Sequence, residues 1–242
     1  MKILIAGASG MIRGEALMQC LDHPVILSVV VFVRRDLPAD VSNHPKLECV
    51  LVKDFAVWSE DVMQAHADAT AMIWAMGSYP GSLSADLQYP LAFLESMARV
   101  LETNPGRPRF RYVHLSGKFV RQNQEEKLWF LDKPRKIKGL LEARALAFAG
   151  SHATIWETFI VKPGGVVPRK LIAGGVIGAV GSIGAVLGEN WSVRIEELGA
   201  FMTYLAINGK GEDSIVENAR IVGKGRELLK SQKIDLSPSR CG

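Results

Sequence analysis

The sequence predicts an α/β fold, a doubly wound parallel sheet with a small elaboration on the substrate side at its C-terminal end. Three observations predict it. The first fourteen residues read M-K-I-L-I-A-G-A-S-G-M-I-R-G, a short apolar β-type run, a glycine turn and the start of a helix. Val25 to Val33, V-I-L-S-V-V-V-F-V, is nearly continuous in apolar residues and lacks helical period, as befits a strand covered on both faces. Beyond it, strand-like runs alternate with helical ones as far as Gly165, the rhythm of a Rossmann-like core.

Lys2 to Ala6 is the expected first strand, and Met11 to Leu21 has helical spacing. Between them, Gly7, Ser9 and Gly10, with Met11 and Ile12 opening the helix, make a turn whose backbone N–H groups and helix dipole suit a pyrophosphate. In the G-x-x-G-x-x-G fingerprint the third glycine lets the helix sit close to its strand. Here that place holds Arg13, with Gly14 one residue late. The second strand ends in Arg34 and Arg35, where NAD-specific proteins place an acid for the ribose hydroxyls. A guanidinium there pairs with a 2′-phosphate, so NADP(H) is the expected dinucleotide.

Leu47 to Val52 is a third strand, followed by Asp54 and a helix over about residues 57–66. Asp54 either lines the adenine side of the site or caps that helix. The fourth strand, Ala71 to Ala75, runs into Met76, Gly77 and Ser78 at the carboxyl edge, where open α/β sheets collect ligands. Tyr79 to Tyr89 is a Pro, Gly and Ser rich loop, and Leu91, Leu94, Ala98 and Leu101 share a helix face. Phe110 to Leu115 is a fifth strand ending in His114, Leu115 and Ser116. After a polar stretch from 117 to 135, a helix carries Ile137, Leu140, Leu141, Ala145 and Phe148 on one side. Thr154 to Val161 is a sixth strand, stopped by Pro163, Gly164 and Gly165, with Val166 just beyond. Further helices are expected over 196–208 and 219–230.

The 242 residues, 48% apolar, suffice for one domain with a full core, divided here into a core over 1–165 and a C-terminal substrate or lid region over 166–242. Residues 171–188 are eighteen uncharged positions with six glycines, among them Gly174, Gly178, Gly184 and Gly188, which offer small-residue spacing. Glycine adds almost no transfer energy, so an apolar lid is expected rather than a membrane span. The net charge of +4 is scattered apart from Lys133, Arg135, Lys136 and Lys138, which read as a solvated loop without the aromatic pattern of a nucleic-acid site. Three scattered cysteines suggest neither a disulfide framework nor a metal site. With no charged segment and cleavage site at the start, a reducing, cytoplasmic setting is expected.

The run G-A-S-G-M-I-R-G, V-F-V-R-R, Asp54, M-G-S at 76–78, H-L-S-G at 114–117, K-G-L-L-E at 138–142, K-P-G-G at 162–165 and the closing E-N-A-R-I-V-G-K-G-R-E-L-L resembles atypical short-chain dehydrogenases/reductases. The similarity is greatest to the branch of NmrA-like and Tat-interacting oxidoreductase-like proteins. That resemblance implies a catalytic serine, a tyrosine, and a lysine four residues after the tyrosine. Ser116 and Lys138 match, and Lys138 is also expected to hold the cofactor ribose. Position 134 is proline, and no tyrosine lies between Ser116 and Lys138. General acid catalysis is worth about 10²–10⁴-fold, so carbonyl reduction needs a substitute donor, for which Tyr79, Tyr89 and His114 are candidates.

The two departures, at Arg13 and Pro134, fall on the parts that distinguish a redox enzyme from its bare scaffold. The leading expectation is therefore a non-redox isomerase or cyclase, of cycloaddition type among others. Such an enzyme of secondary-metabolite type would mould a hydrophobic carbonyl-bearing substrate between Ser78, Tyr79, Tyr89, Trp129, Phe130, Gly164, Gly165 and Val166. The dinucleotide site is then vestigial or empty of function. The alternatives are an NADPH-dependent carbonyl reductase and an NmrA-like protein that senses a dinucleotide and binds a partner. The sequence leaves self-association open.

Overall fold

The computed structural model describes residues 1–7, 10–78, 80–104, 106–169 and 190–235. Its sheet has seven parallel strands: β1 (Lys2–Ala6), β2 (Ser28–Val33), β3 (Leu47–Leu51), β4 (Ala71–Trp74), β5 (Phe110–Leu115), β6 (Trp156–Lys162) and β9 (Ile215–Glu217). They lie in the order β3-β2-β1-β4-β5-β6-β9. Strand order reverses direction at β1, whose Ala6 is paired with Phe32 of β2 on one side and Trp74 of β4 on the other. Crossovers leave in opposite directions there, which opens a crevice above the carboxyl ends of β1 and β4. A separate pair, β7 (Gly165–Val167) and β8 (Ser192–Arg194), stands beyond the end of β6.

Seven helices are described: α1 (Met11–Asp22), α2 (Ala39–Ser42), α3 (Glu60–Ala65), α4 (Tyr89–Glu102), α5 (Asp132–Ser151), α6 (Ile195–Ile207) and α7 (Asn218–Asp235). A π-helical turn, Ser84–Gln88, leads into α4. The alternation of β1 side chains sorts the two cores. Ile3 and Ile5 pack with Leu17, Val31, Phe201 and Leu205 on the face under α1 and α6. Leu4 and Ala6 pack on the opposite face, under α3, α4 and α5, with an aromatic layer that includes Phe32, Trp74, Phe93, Tyr112 and Trp156. Edge-to-face contacts such as Phe32–Trp58 at 5.0 Å and the tilted Phe110–Trp156 pair at 4.9 Å knit that layer.

Two boundaries differ from the sequence reading in ways that matter for the site. The helix expected after residue 135 begins at Asp132, so Lys133, Arg135, Lys136 and Lys138 stand on α5 and not in a loop. Pro134 is tolerated because it falls in the first turn, where an N–H has no intrahelical partner to lose. The chain after Gly165 also returns to the sheet, as Ile160, Val161 and Lys162 pair with Ile215, Val216 and Glu217. Three-residue strands such as β7, β8 and β9 are too short to show a period. Residues 170–189, which hold the expected lid, and Cys241 in the tail lie outside the described residues.

The segment from Ser116 to Gln122 lies directly on α5 at Gly139, where a Cβ would stand 1.7 Å from the Arg121 carbonyl oxygen. Gly139→Ala is expected to push that segment off the helix and cost about 1–3 kcal/mol, read as a lowered urea midpoint. Gly14 is the control. A Cβ there meets nothing within 4 Å, so Gly14→Ala is expected to stabilise α1 by about 0.5–1 kcal/mol.

Candidate active site

Ser116 extends β5 by one residue, its N–H donating to the Val161 carbonyl at 2.8 Å. Its hydroxyl donates to Oε1 of Glu142, a fully buried side chain on α5. The other carboxylate oxygen receives Gln122 Nε2 at 3.1 Å and Lys162 Nζ at 3.2 Å, and Lys162 also donates to the Val120 carbonyl at 3.1 Å. Glu142 thus gathers Ser116 from β5, Gln122 from the loop and Lys162 from β6. A charge out of water demands such partners, because the unpaired ion would cost several kcal/mol.

Lys138 stands one turn before Glu142 but joins a different carboxylate. Its Nζ is 3.7 Å from Oδ1 of Asp86, whose Oδ1 accepts the Ser78 N–H at 2.9 Å and whose Oδ2 accepts the Ser82 N–H at 2.7 Å. Asp86 therefore fixes the loop after β4, and a Cβ on Gly77 would lie 3.0 Å from its Oδ1 and 3.6 Å from Lys138 Nζ. The same loop closes on the start of α5. Gly81, at φ +84°, brings its backbone so close to Pro134 that a Cβ would stand 2.6 Å from the proline Cβ.

The remaining predicted residues divide. His114 is buried, with Nδ1 3.2 Å from the Tyr112 hydroxyl and its ring stacked on that of Tyr112 at 5.9 Å. Burial, with the Lys138 charge adding to it, pulls its pKa down to about 3, which disfavours the protonated ring that a substitute acid would need. Tyr89 opens α4 half-buried, 6.0 Å from the Phe55 ring. Met76 is half-buried against the aromatic layer. Gly164 and Gly165, expected to line a pocket, are instead a joint. Gly164 N–H donates to Asn218 Oδ1 at 2.7 Å, Gly165 N–H donates to the Trp191 carbonyl at 2.8 Å, and Val166 pairs with Val193. Trp129 is fully exposed and Phe130 mostly so, which leaves them facing water rather than walling Lys138. Tyr79 and Ser9 lie outside the described residues, as does the side chain of Arg13.

At the phosphate turn, Gly7 adopts φ +89° and donates to the Phe32 carbonyl at 3.4 Å. α1 then starts at Met11, half-buried Ile12 anchoring it to the core, with no side chain capping it and no acid in its first turn. Among the described residues no side chain caps its leading N–H groups, an arrangement that suits an incoming anion. Arg34 and Arg35 stand exposed just past β2. Asp54 does not cap α3, since its carboxylate accepts the Ala56 N–H at 2.9 Å in a turn while Ser59 takes the N-cap position. Sequence reasoning missed Glu142, Lys162 and Asp86 as site residues. Glu142 and Lys162 stood within the K-G-L-L-E and K-P-G-G runs, Glu142 at helical spacing from Lys138, but no role was assigned to either.

No protein-family model matches the chain, and no curated protein sequence matches it. Solved structures do. Gre2 from Candida albicans, in complex with NADPH, superposes with a TM-score of 0.64 at 15% identity, over 90% of this chain and 78% of that one. UDP-glucose 4-epimerase from Thermotoga maritima, with UDP-glucose, gives 0.61 at 13%, over 98% and 84%. A short chain dehydrogenase from Burkholderia cenocepacia, with NADP, gives 0.60 at 12%, over 98% of both chains. The fold is therefore a Rossmann-like parallel sheet flanked by helices, similar to that of these structures.

Proposed function

We propose that this chain is an enzyme of small-molecule metabolism that isomerises or cyclises a hydrophobic, carbonyl-bearing substrate without net hydride transfer. The observation that carries the reading is the closure of Gly81 over Pro134. In the family that the sequence resembles, the proton-donating phenol belongs at that position. Here it is a proline with a loop backbone laid against it, so the slot has been built over as well as substituted.

What is left suits an enolisable substrate. Lys138 is about a third exposed and its ammonium stands 3.7 Å from Asp86 as an ion pair, which leaves its N–H donors for a carbonyl oxygen. Ser116 gives its single O–H to Glu142, so its oxygen is free to accept a hydrogen bond from a substrate hydroxyl. With purified protein and a panel of polyene or terpenoid carbonyl compounds, product is expected without added nicotinamide. Lys138→Ala should lower turnover by about 10²-fold, the loss typical of one preorganised donor. Product formed only in step with NADPH oxidation would overturn this reading.

A second reading, an NADPH-dependent reductase, is favoured by Arg34 and Arg35 beyond β2 and by the uncapped N-terminus of α1. The residues fit a dinucleotide: the α1 N–H groups and Gly7 turn would take its pyrophosphate, Arg34 or Arg35 a 2′-phosphate, and the group when bound would supply hydride. Calorimetric titration is expected to give tighter binding of NADPH than of NADH, with Arg34→Ala weakening NADPH by about tenfold through one lost charge-assisted contact. Absence of any binding removes the reductase.

A further inference from the structure

We infer that the segment between β5 and α5, together with Trp191, docks this protein onto an anionic lipid surface. Four large aromatics stand in water there: Trp129 is 100% exposed, Phe130 60%, Phe119 54% and Trp191 46%. They form one patch. The rings of Phe119 and Trp191 are 6.1 Å apart, and the Arg135 guanidinium donates to the carbonyls of both Phe119, at 2.6 Å, and Phe130, at 3.1 Å. Contiguous exposed apolar surface of this kind marks an interaction site. The backbone supports the display at a cost, because Leu131 holds φ +47°, a left-handed conformation worth about 1 kcal/mol of strain in a branched residue, directly after Trp129 and Phe130.

The charge around the patch selects the occupant. Residues 118–136 carry six lysines and arginines against three acids. Glu126 and Asp132 are matched by Arg121 at 3.6 Å and Lys136 at 3.1 Å. Lys118 lies over the Trp191 ring at 5.2 Å, while Lys127 and Lys133 are exposed and form no ion pair among the described residues. Indole and phenyl rings ringed by unpaired ammonium groups match the headgroup layer of an acidic bilayer, where rings settle below the phosphates and lysines reach back to them. A second copy of the same positive patch would instead meet like charge. No helix of the described residues is long and apolar enough to cross a membrane, so the contact is one of lying on the surface.

Co-sedimentation with phosphatidylcholine vesicles, with and without phosphatidylserine, tests this. The full chain is expected to pellet with the mixed vesicles and to be released by high salt. Trp129→Ala with Phe130→Ala should reduce partitioning by at least about tenfold, and Lys127→Glu with Lys133→Glu should abolish the preference for phosphatidylserine. All four positions are exposed, and unchanged circular dichroism and urea midpoints would show that the variants fold. No pelleting with either vesicle overturns the inference. Self-association that the aromatic double variant removes, without vesicle binding, overturns it in favour of a second copy.

Discussion

Glu142→Ala is expected to destabilise the protein by about 3–5 kcal/mol, the cost of removing one partner from a buried ion pair. The variant leaves Lys162, almost wholly buried, with only the Val120 carbonyl at 3.1 Å among the described residues, and deprives both Ser116 and Gln122 of their acceptor. The penalty comes from the uncompensated ammonium more than from the lost bond. A companion variant separates these terms: Glu142→Leu with Lys162→Met removes both charges and should recover most of the loss, since well-packed apolar replacements of buried pairs are often neutral. Urea denaturation of the three proteins is the measurement. A loss below about 1 kcal/mol in Glu142→Ala would show that the carboxylate is not what holds β5, β6 and α5 together.

Acid is expected to weaken the fold through His114. In the folded chain the ring is buried against Tyr112 and its pKa is about 3, against an ordinary value near 6.5. Below pH 6.5 the unfolded chain takes up a proton that the folded chain refuses. The stabilisation is therefore complete above pH 6.5, is lost progressively as pH falls toward 3, and at pH 4.5 about 2–3 kcal/mol has gone. His66 adds in the same direction, its pKa lowered chiefly by burial. His114→Gln keeps a polar partner for the Tyr112 hydroxyl but does not titrate. Stability measured at pH 7 and pH 4.5 should differ less in that variant than in the parent by about 2 kcal/mol. Equal differences would place the acid sensitivity elsewhere.

The sheet was legible because its central strands are buried on both faces, and residues such as Val29–Val33 and Phe110–Leu115 then have little polar alternation to obscure them. The turn at Gly7 was legible because a strand, glycines and a helix stood next to each other in the chain. The site was legible only in part. Ser116 and Lys138 were singled out through the family resemblance, but their partners Glu142 and Asp86 lie 26 and 52 positions away in sequence, respectively. Nothing local announces that two carboxylates will divide a serine and a lysine between them. His114 misled for a related reason: a titratable ring at a strand end signals a site or a core with equal force, and only the neighbouring Tyr112 decides it. β9 went unseen because three residues, one of them buried, carry no period.

That last strand sets a timetable for synthesis. β6 is complete at Lys162, but among the described residues its outer edge gains a strand partner only when Ile215–Glu217 arrives. On the ribosome, where chains grow at about 5–20 residues per second, the edge stands bare for roughly 3–10 s. During that interval a row of unpaired amides beside Phe159 and Val161 is a template for any other extended chain. Truncations that stop short of Val216 should therefore accumulate as aggregates in cells, and co-expressed holdase chaperones should be what keeps the nascent protein dispersed.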